Sequence, residues 1–355
     1  MIDLDDPRAL DEADPAGMLR TVLSLPEQCA AGYLAGRDAE NLPSVESMSS
    51  VVVCGMGGSG IAGDILAALY RDRLGVPIVA LKNPVLPEFA GKDAIVVCSS
   101  YSGTTAETLA CFEQAADRGC RLVALCSGGP LARRAEDQDF AVVRVPAGVL
   151  APRAAVGHLA FGLLGALEAM GALPPLRSDV AHCARDLEGL SAQIAPEVPR
   201  RENPAKDAAA AIGDRVPVVW GAEGIGAVVA SRWKTQFNEN AKVPAFSSPL
   251  PELDHNEVVG WAPGTGDRFF LMTLRHGHEH PDVASRFEVS VEVVLASGLE
   301  HREVRVGTGS PLGDLMRLVM LGDATSVYLG YLRSVDPAPI EAIARIKRAV
   351  EGPSS

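Results

Sequence analysis

VVVCGMGGSGIAGDIL, residues 51–66, opens as an apolar run from Val51 to Cys54, stops at a glycine cluster and continues into a helical pattern from Ile61 to Tyr70. A continuously apolar segment this short, closed by glycines and followed by a helix, reads as a fully buried strand entering a βα turn. Working outward, the same grammar repeats. PIVAL (77–81), AIVVCSS (94–100), RLVALCS (121–127) and FAVVRVP (140–146) are strand signals. Between and after them come helical stretches at Thr105–Arg118, Leu131–Glu136 and Ala154–Met170. The alternation predicts a mostly parallel sheet covered by helices on both faces.

The pattern loosens at Pro174–Pro175, where residues 179–201 and 203–211 look helical, and then restarts. RVPVVWGAEGIGAVVASRWK (215–234) is again strand, glycine turn and helix. FFLMTL (269–274) and REVRVG (302–307) read as strands, with helices at Asp282–Ser297, Leu312–Leu332 and Ile340–Val350. The second half is a degenerate copy of the first. In its turn, GAEGIG, Glu223 replaces the small residues that would face an anion. The expected division is a helical lead-in (1–49), a first α/β domain (50–175), a helical connection (176–211) and a second α/β domain (212–355).

Gly55, Gly57 and Gly60 satisfy G-x-G-x-x-G, but a dinucleotide site also needs an acid near the end of the second strand to hold the ribose. That strand is followed by Lys82 and Asn83, which counts against NAD and leaves only NADP arguable. No GxxxxGK[ST] is present, and Ser59 does not sit in G-x-S-x-G, so neither a P-loop nor a hydrolase elbow is expected.

The bulk numbers narrow the classes further. With 355 residues, 47% hydrophobic and 22% charged, the chain suits an ordinary two-core enzyme, and a formal net charge of −13 argues against nucleic acid or an anionic membrane as partner. No apolar stretch approaches a membrane span. The seven cysteines are odd in number and lack C-x-x-C spacing, and the N-terminus is acidic. Both point to a reduced, cytoplasmic protein without structural zinc or signal peptide.

SSYSGTTAET (99–108) carries five hydroxyls at the entry to a helix: Ser99, Ser100, Ser102, Thr104 and Thr105. Such residues cap helices and make turns in any protein. Paired with the Gly58–Ser59 loop at the same carboxyl edge of one parallel sheet, they suit a phosphate monoester, which accepts several hydrogen bonds at helix N-termini. Candidate phosphate-binding residues are Gly58, Ser59, Ser100, Ser102 and Thr105.

GMGGSG followed by SYSGTTAET resembles a sugar isomerase (SIS) domain. Together with QFNENAKVPAFSSPLPELDHNEVVGW (236–261), the chain after about residue 50 resembles the bifunctional phosphoglucose/phosphomannose isomerase family of two tandem SIS domains. The resemblance implies two three-layer αβα domains. It also implies an aldose–ketose isomerase that moves a proton between C1 and C2 through an enediolate and needs no redox cofactor. Thr104 departs from the family's more usual Asn.

Glu239 in FNENAK is the candidate base, with Trp233 and Phe237 suggesting a water-poor setting that would raise its basicity. Arg153 in LAPRAAVG precedes a helix, where the dipole disfavours a cation unless an anion compensates. The resemblance assigns it enediolate stabilisation. His255 in ELDHNE reads, on the residues alone, as a loop histidine bonded to Asp254 or Glu257. The resemblance makes it a ring-opening residue supplied across a homodimer, whose buried surface would come from the helices at 154–170 and 312–332. Only the resemblance separates Lys347, as the ring-opening lysine, from Arg345 and Arg348. RHGHEH (275–280) alternates three histidines but reads as an exposed strand-to-helix connection, so no metal site is expected. A non-catalytic sugar-phosphate sensor or lapsed isomerase is the alternative function, and the presence of Glu239 and His255 counts against it.

Overall fold

The computed structural model describes residues 2–351. The chain opens with helices α1 (Pro7–Ala13), α2 (Met18–Leu23) and α3 (Leu25–Arg37). Strands and helices then alternate: β1 (Ser50–Gly55), α4 (Gly57–Tyr70), β2 (Ile78–Leu81), β3 (Ala94–Ser99), α5 (Ala106–Asp117), β4 (Arg121–Cys126), α6 (Gly129–Asp137) and β5 (Ala141–Arg144). The sheet order is β2-β1-β3-β4-β5 and every pairing is parallel. β1 and β3 are buried at every position. Their side chains alternate between two cores, Val51 and Val53 facing α4 while Val52 and Cys54 face α5 and α6. That two-sided burial is why these strands read as unbroken apolar runs.

The strand order reverses at β1. From β1 the chain crosses to β2 on one side, and from β3 it crosses to β4 on the other. Right-handed crossovers therefore place α4 and α5 on opposite faces. The loops after β1 and β3 part company at this switch point, the place where open parallel sheets form a crevice.

After β5, the 3-10 turn Pro152–Ala155 leads into α7 (Val156–Ala169), followed by α8 (Arg177–Gln193) and α9 (Pro204–Ile212). The theme then repeats as β6 (Val216–Ala222), α10 (Ile225–Asn240), β7 (Phe246–Leu250), β8 (Phe269–Arg275), α11 (Pro281–Ala284), α12 (Arg286–Leu295), β9 (Glu300–Arg305), α13 (Pro311–Leu332) and α14 (Glu341–Glu351). This sheet, β7-β6-β8-β9, is also parallel throughout and switches at β6. α10 stands in the second half where α4 stands in the first, and the two helices touch.

The structure departs from the sequence reading in several places. β7 escapes notice because FSSPL lacks apolar continuity, as befits a half-exposed edge strand that tolerates Pro249. The helix expected at 282–297 breaks into α11 and α12 at Ser285. α4 begins at Gly57 rather than Ile61, the glycines forming its first turn. The helices expected to supply a dimer surface are already internal. α7 is buried over Val156–Leu167, and α13 is almost wholly buried between α8, α9 and α10. Their all-round hydrophobicity is that of core helices.

α3 and α7 pack through glycines. A Cβ at Gly36 would lie 2.1 Å from the Gly162 carbonyl oxygen, and one at Gly165 would lie 2.2 Å from that of Tyr33. Both obstacles are backbone, so the helices would have to part. Gly36→Ala should therefore lose about 1–3 kcal/mol to overpacking, more than the ~1 kcal/mol of helix propensity that it gains. Gly189, exposed on α8 with nothing within 4 Å of its would-be Cβ, is the control. Gly189→Ala should gain up to ~1 kcal/mol. Urea denaturation checks both, and equal responses would contradict the packing account.

Candidate active site

The first turn of α4, the turn Pro152–Ala155 and the middle of α10 enclose a cavity of about 210 Å³. Its lining includes Gly57, Gly58, Asp64, Lys82, Arg153, Arg232, Gln236 and Glu239. Glycine is needed at 58 because a Cβ there would fall 2.5 Å from the backbone nitrogen of Arg153. The extended Met56 precedes α4, and no side chain caps it. The first N–H groups of a helix have no intrahelical partner, so this end carries free donors and partial positive charge beside the cavity.

Arg153 is 2% exposed, and each nitrogen of its guanidinium is engaged. Nε donates to Asn240 Oδ1 at 2.8 Å, and Nη1 donates to Glu239 Oε2 at 3.3 Å. Nη2 donates to the carbonyls of Pro337 and Ala338, at 2.8 and 3.1 Å. The cation that the sequence reading set against a helix dipole is thus met by acceptors from α10 and from the segment before α14. Burial pulls this guanidinium down from its ordinary value, and Glu239 opposes that pull.

Glu239 lies near the end of α10 on a polar stripe. Arg232, Gln236, Glu239 and Asn240 recur at helical spacing on one side, and Arg232, Gln236 and Asn240 are buried. Trp233 and Phe237 do not form its surroundings. They pack edge-to-face on each other in the core, and the Trp233 indole donates to the Leu318 carbonyl at 2.8 Å. Residues 233 and 237 fall on a different face of the helix from 239, so the partly buried setting of Glu239 is polar rather than aromatic. Lys242, just beyond the helix, donates through Nζ to the Glu239 carbonyl and to Pro337 O. Burial and the nearby Arg153 lower the Lys242 pKa.

The hydroxyl loop after β3 is tied to the glycine loop. Ser59 Oγ accepts from the Tyr101 N–H at 2.9 Å, and Ser99 Oγ donates to the Ser59 carbonyl at 2.9 Å. Ser100 and Thr105 share a hydrogen bond at 2.9 Å, as do Ser102 and Thr104 at 2.8 Å. Ser59 and Ser100 are buried, Thr105 is half-buried and Ser102 is exposed. The structure therefore brings Gly58, Ser59, Ser100, Ser102 and Thr105 to one sheet edge. Of these only Gly58 lines the cavity, together with Arg153 and Glu239, and the four hydroxyl residues lie outside its lining.

His255 and Lys347 do not line this cavity. His255 is exposed in a 3-10 turn after β7, and the carboxylates expected to hold it are engaged elsewhere. Asp254 accepts from Ser290 and Arg286, and Glu257 from Trp220 and Ser248. Lys347 is exposed on α14. Glu223, expected to spoil its turn for anions, accepts from Arg71 Nη1 at 2.9 Å.

In the RHGHEH segment Gly277, His278 and His280 are exposed, as expected of a strand-to-helix connection, while Arg275 and His276 are buried. Arg275 and Glu279 form an ion pair with both side chains nearly inaccessible, and the guanidinium lies 4.0 Å over the Phe287 ring. Its histidines have separate tasks. His276 Nδ1 accepts from the His278 N–H, and His280 caps α11. No cluster of three or more metal-ligating side chains occurs among the described residues.

Sequence reasoning weighed Lys82 only for a dinucleotide and passed over Asp64, Arg232, Gln236 and Asn240 as lining or support of this cavity. Lys82 Nζ sits 2.6 Å from Asp64 Oδ2. For the α10 residues the signal available was the polar stripe 232, 236, 239 and 240 beside the aromatic core face of the same helix.

Residues 201–350 match the model of the bacterial phospho-glucose isomerase C-terminal SIS domain. The chain is 32% identical over 332 residues to the bifunctional phosphoglucose/phosphomannose isomerase of Caldicellulosiruptor bescii, covering 93% of this chain and 98% of the relative. It is 33% identical over 303 residues to the protein of the same name from Aquifex aeolicus, covering 85% and 90%. Among solved structures, a glucose-6-phosphate isomerase like protein from Thermus thermophilus superposes with a TM-score of 0.64 at 19% identity, covering 98% of this chain and 99% of that one. This last likeness speaks to the fold alone.

Burial holds the imidazoles of His158, His276 and His301 below their ordinary value of 6.5. Below pH 6.5 the unfolded chain takes up protons that these folded sites refuse. Their contribution to stability is therefore lost as the pH falls from 6.5 toward the folded pKa values, by up to about 1.4 kcal/mol per pH unit for each histidine. His276→Gln removes one such site and should flatten the fall in urea-unfolding free energy between pH 6.5 and 5. An unchanged slope would show that His276 titrates alike in both states.

Proposed function

The chain belongs to the bifunctional phosphoglucose/phosphomannose isomerase family, and on that premise we propose that it interconverts glucose 6-phosphate and mannose 6-phosphate with fructose 6-phosphate. The observation that carries the proposal is the Arg153–Glu239 contact at 3.3 Å on the cavity wall beside the free N–H groups of α4. A carboxylate base and a fixed cation are what an enediolate requires.

In this reading the phosphate rests on Gly58, Ser59, Ser100, Ser102 and Thr105. The open-chain sugar then extends toward Glu239. Its carboxylate takes the proton from C2 of the aldose and returns a proton to C1, while the hydroxyl proton passes from O2 to O1. Arg153 meets the negative charge that develops on oxygen. Glucose and mannose 6-phosphates differ only at C2, so both collapse to the same planar enediolate, and one base can serve both. Electrons stay within the sugar, so the step as written uses no redox cofactor.

His255 and Lys347 take the ring-opening role. Neither lines the cavity of its own chain, and on the family resemblance we assign the histidine to the partner subunit of a homodimer. Exposed Phe246, Val259 and Ile346 are apolar side chains that such a dimer could cover. We divide the chain at 50–175 and 212–355, a reading supported by its two separate sheets; residues 352–355 lie outside the described residues. A cytoplasmic setting is supported by seven buried, unpaired thiols. No helix among the described residues is long and apolar enough to cross a membrane.

Coupled assays with each 6-phosphate test the activity, and turnover of neither overturns it. Ser102→Asp puts a like charge beside the phosphate from an exposed position, so KM should rise at least ~10-fold with little loss of stability. An unchanged KM would remove the phosphate from this loop. Mixing inactive Glu239→Gln and His255→Ala chains should restore activity, because a hybrid dimer rebuilds one intact site. Demonstrated subunit exchange without activity would contradict the shared site.

A further inference from the structure

Arg232 and Asp323 form a buried ion pair that the chemistry above does not use. They are 3% and 2% exposed. Arg232 Nε donates to Asp323 Oδ1 at 2.9 Å, and Nη2 donates to Oδ2 at 2.6 Å. This is the two-pronged geometry that fixes direction as well as distance. The same Nη2 donates to the backbone carbonyl of Arg153 at 2.9 Å.

One guanidinium thus joins three elements: α10, which carries Glu239 two turns further on; α13, which carries Asp323; and the turn that carries Arg153. The loop of contacts closes where the Arg153 side chain reaches Glu239 and Asn240. Asn240 Nδ2 in turn donates to Ser326 Oγ at 2.9 Å, and Ser326 Oγ donates to the Asp323 carbonyl at 2.6 Å. α10 is therefore pinned to α13 at two levels, on either side of Glu239.

We propose that Asp323, acting through Arg232, is a positioning residue that sets the placement of the Arg153 guanidinium relative to the Glu239 carboxylate. A buried ion pair adds little stability over a well-packed apolar pair. What this one adds is direction, through a planar fork that a hydrophobic side chain lacks. Asp323 also neutralises the second guanidinium at the cavity, leaving Arg153 as the cation that meets the oxyanion. The inference rests on the assignment of Glu239 as base.

The test is Arg232→Met combined with Asp323→Leu, which exchanges the pair for apolar groups and leaves no lone buried charge. The double variant should melt close to the wild type, yet its kcat should fall at least ~10-fold and up to ~100-fold, the scale of an ångström misplacement. KM should stay within about twofold, since the phosphate loops are untouched. Arg232→Lys, which keeps the charge but loses the fork, should give the same split and serves if the double variant fails to fold. A folded variant with near wild-type kcat overturns the proposal, as does a raised KM with kcat unchanged. Glu239→Gln, measured alongside, separates the two levels. If it is inactive while the double variant is fully active, only the positioning role fails. If it retains near wild-type kcat, the assignment of the base fails and the positioning role falls with it.

Discussion

A guanidinium taken out of water must find an acceptor for each of its nitrogens, and Arg153 is such a group. The acceptors come from regions remote in sequence: Asn240 and Glu239 on α10, and the Pro337 and Ala338 carbonyls before α14. Satisfying one buried cation therefore draws the first half of the chain onto the second. The cavity lies where they meet. Leaving the cation unpaired would cost several kcal/mol, so the arrangement of the two halves and the arrangement of the site are one constraint.

The two halves contribute unequally. The first supplies the switch point at β1, with the free donors of α4 and the hydroxyl row after β3. The second repeats the topology but has put Glu223 into the equivalent turn, where it pairs with Arg71 instead of leaving a place for an anion. Its part is α10, whose buried polar stripe meets both the turn carrying Arg153 and α13, while the neighbouring face carries Trp233 and Phe237 into the core against α13. In the proposed reading, phosphate binding and proton transfer fall to different copies of one architecture, with Arg153 in contact with both.

Much of the fold was legible because strands covered on both faces have no polar positions to disguise them. β1, β3 and β4 stand out in the sequence for that reason. β7 was missed because an edge strand half open to solvent carries serines and a proline. The two glycine and hydroxyl loops were legible from their place at strand–helix junctions. The grip on Arg153 was not. Pro337 and Ala338 act through backbone carbonyls, which leave no trace in residue identity, and they lie 184 and 185 positions away. Arg232 and Asp323 look in sequence like ordinary surface charges of two helices, and only their pairing across α10 and α13 removes them from water. The long apolar helices misled in the other direction. α7 and α13 are hydrophobic all round because they are core, not because they await a partner.

The central claim is that the Glu239 carboxylate carries the proton between C1 and C2. Isomerisation of glucose 6-phosphate in deuterium oxide tests it most directly, with deuterium at C1 of the fructose 6-phosphate read by NMR. The wild-type chain should incorporate solvent deuterium while it isomerises, because a proton held on a partly exposed carboxylate exchanges before it is returned. Glu239→Gln should bind the sugar phosphate with similar affinity yet lose both isomerisation and incorporation, by at least ~10²-fold, the lower end of what one positioned base contributes. Deuterium entering at near wild-type rate in Glu239→Gln would contradict the account and place the base on another residue.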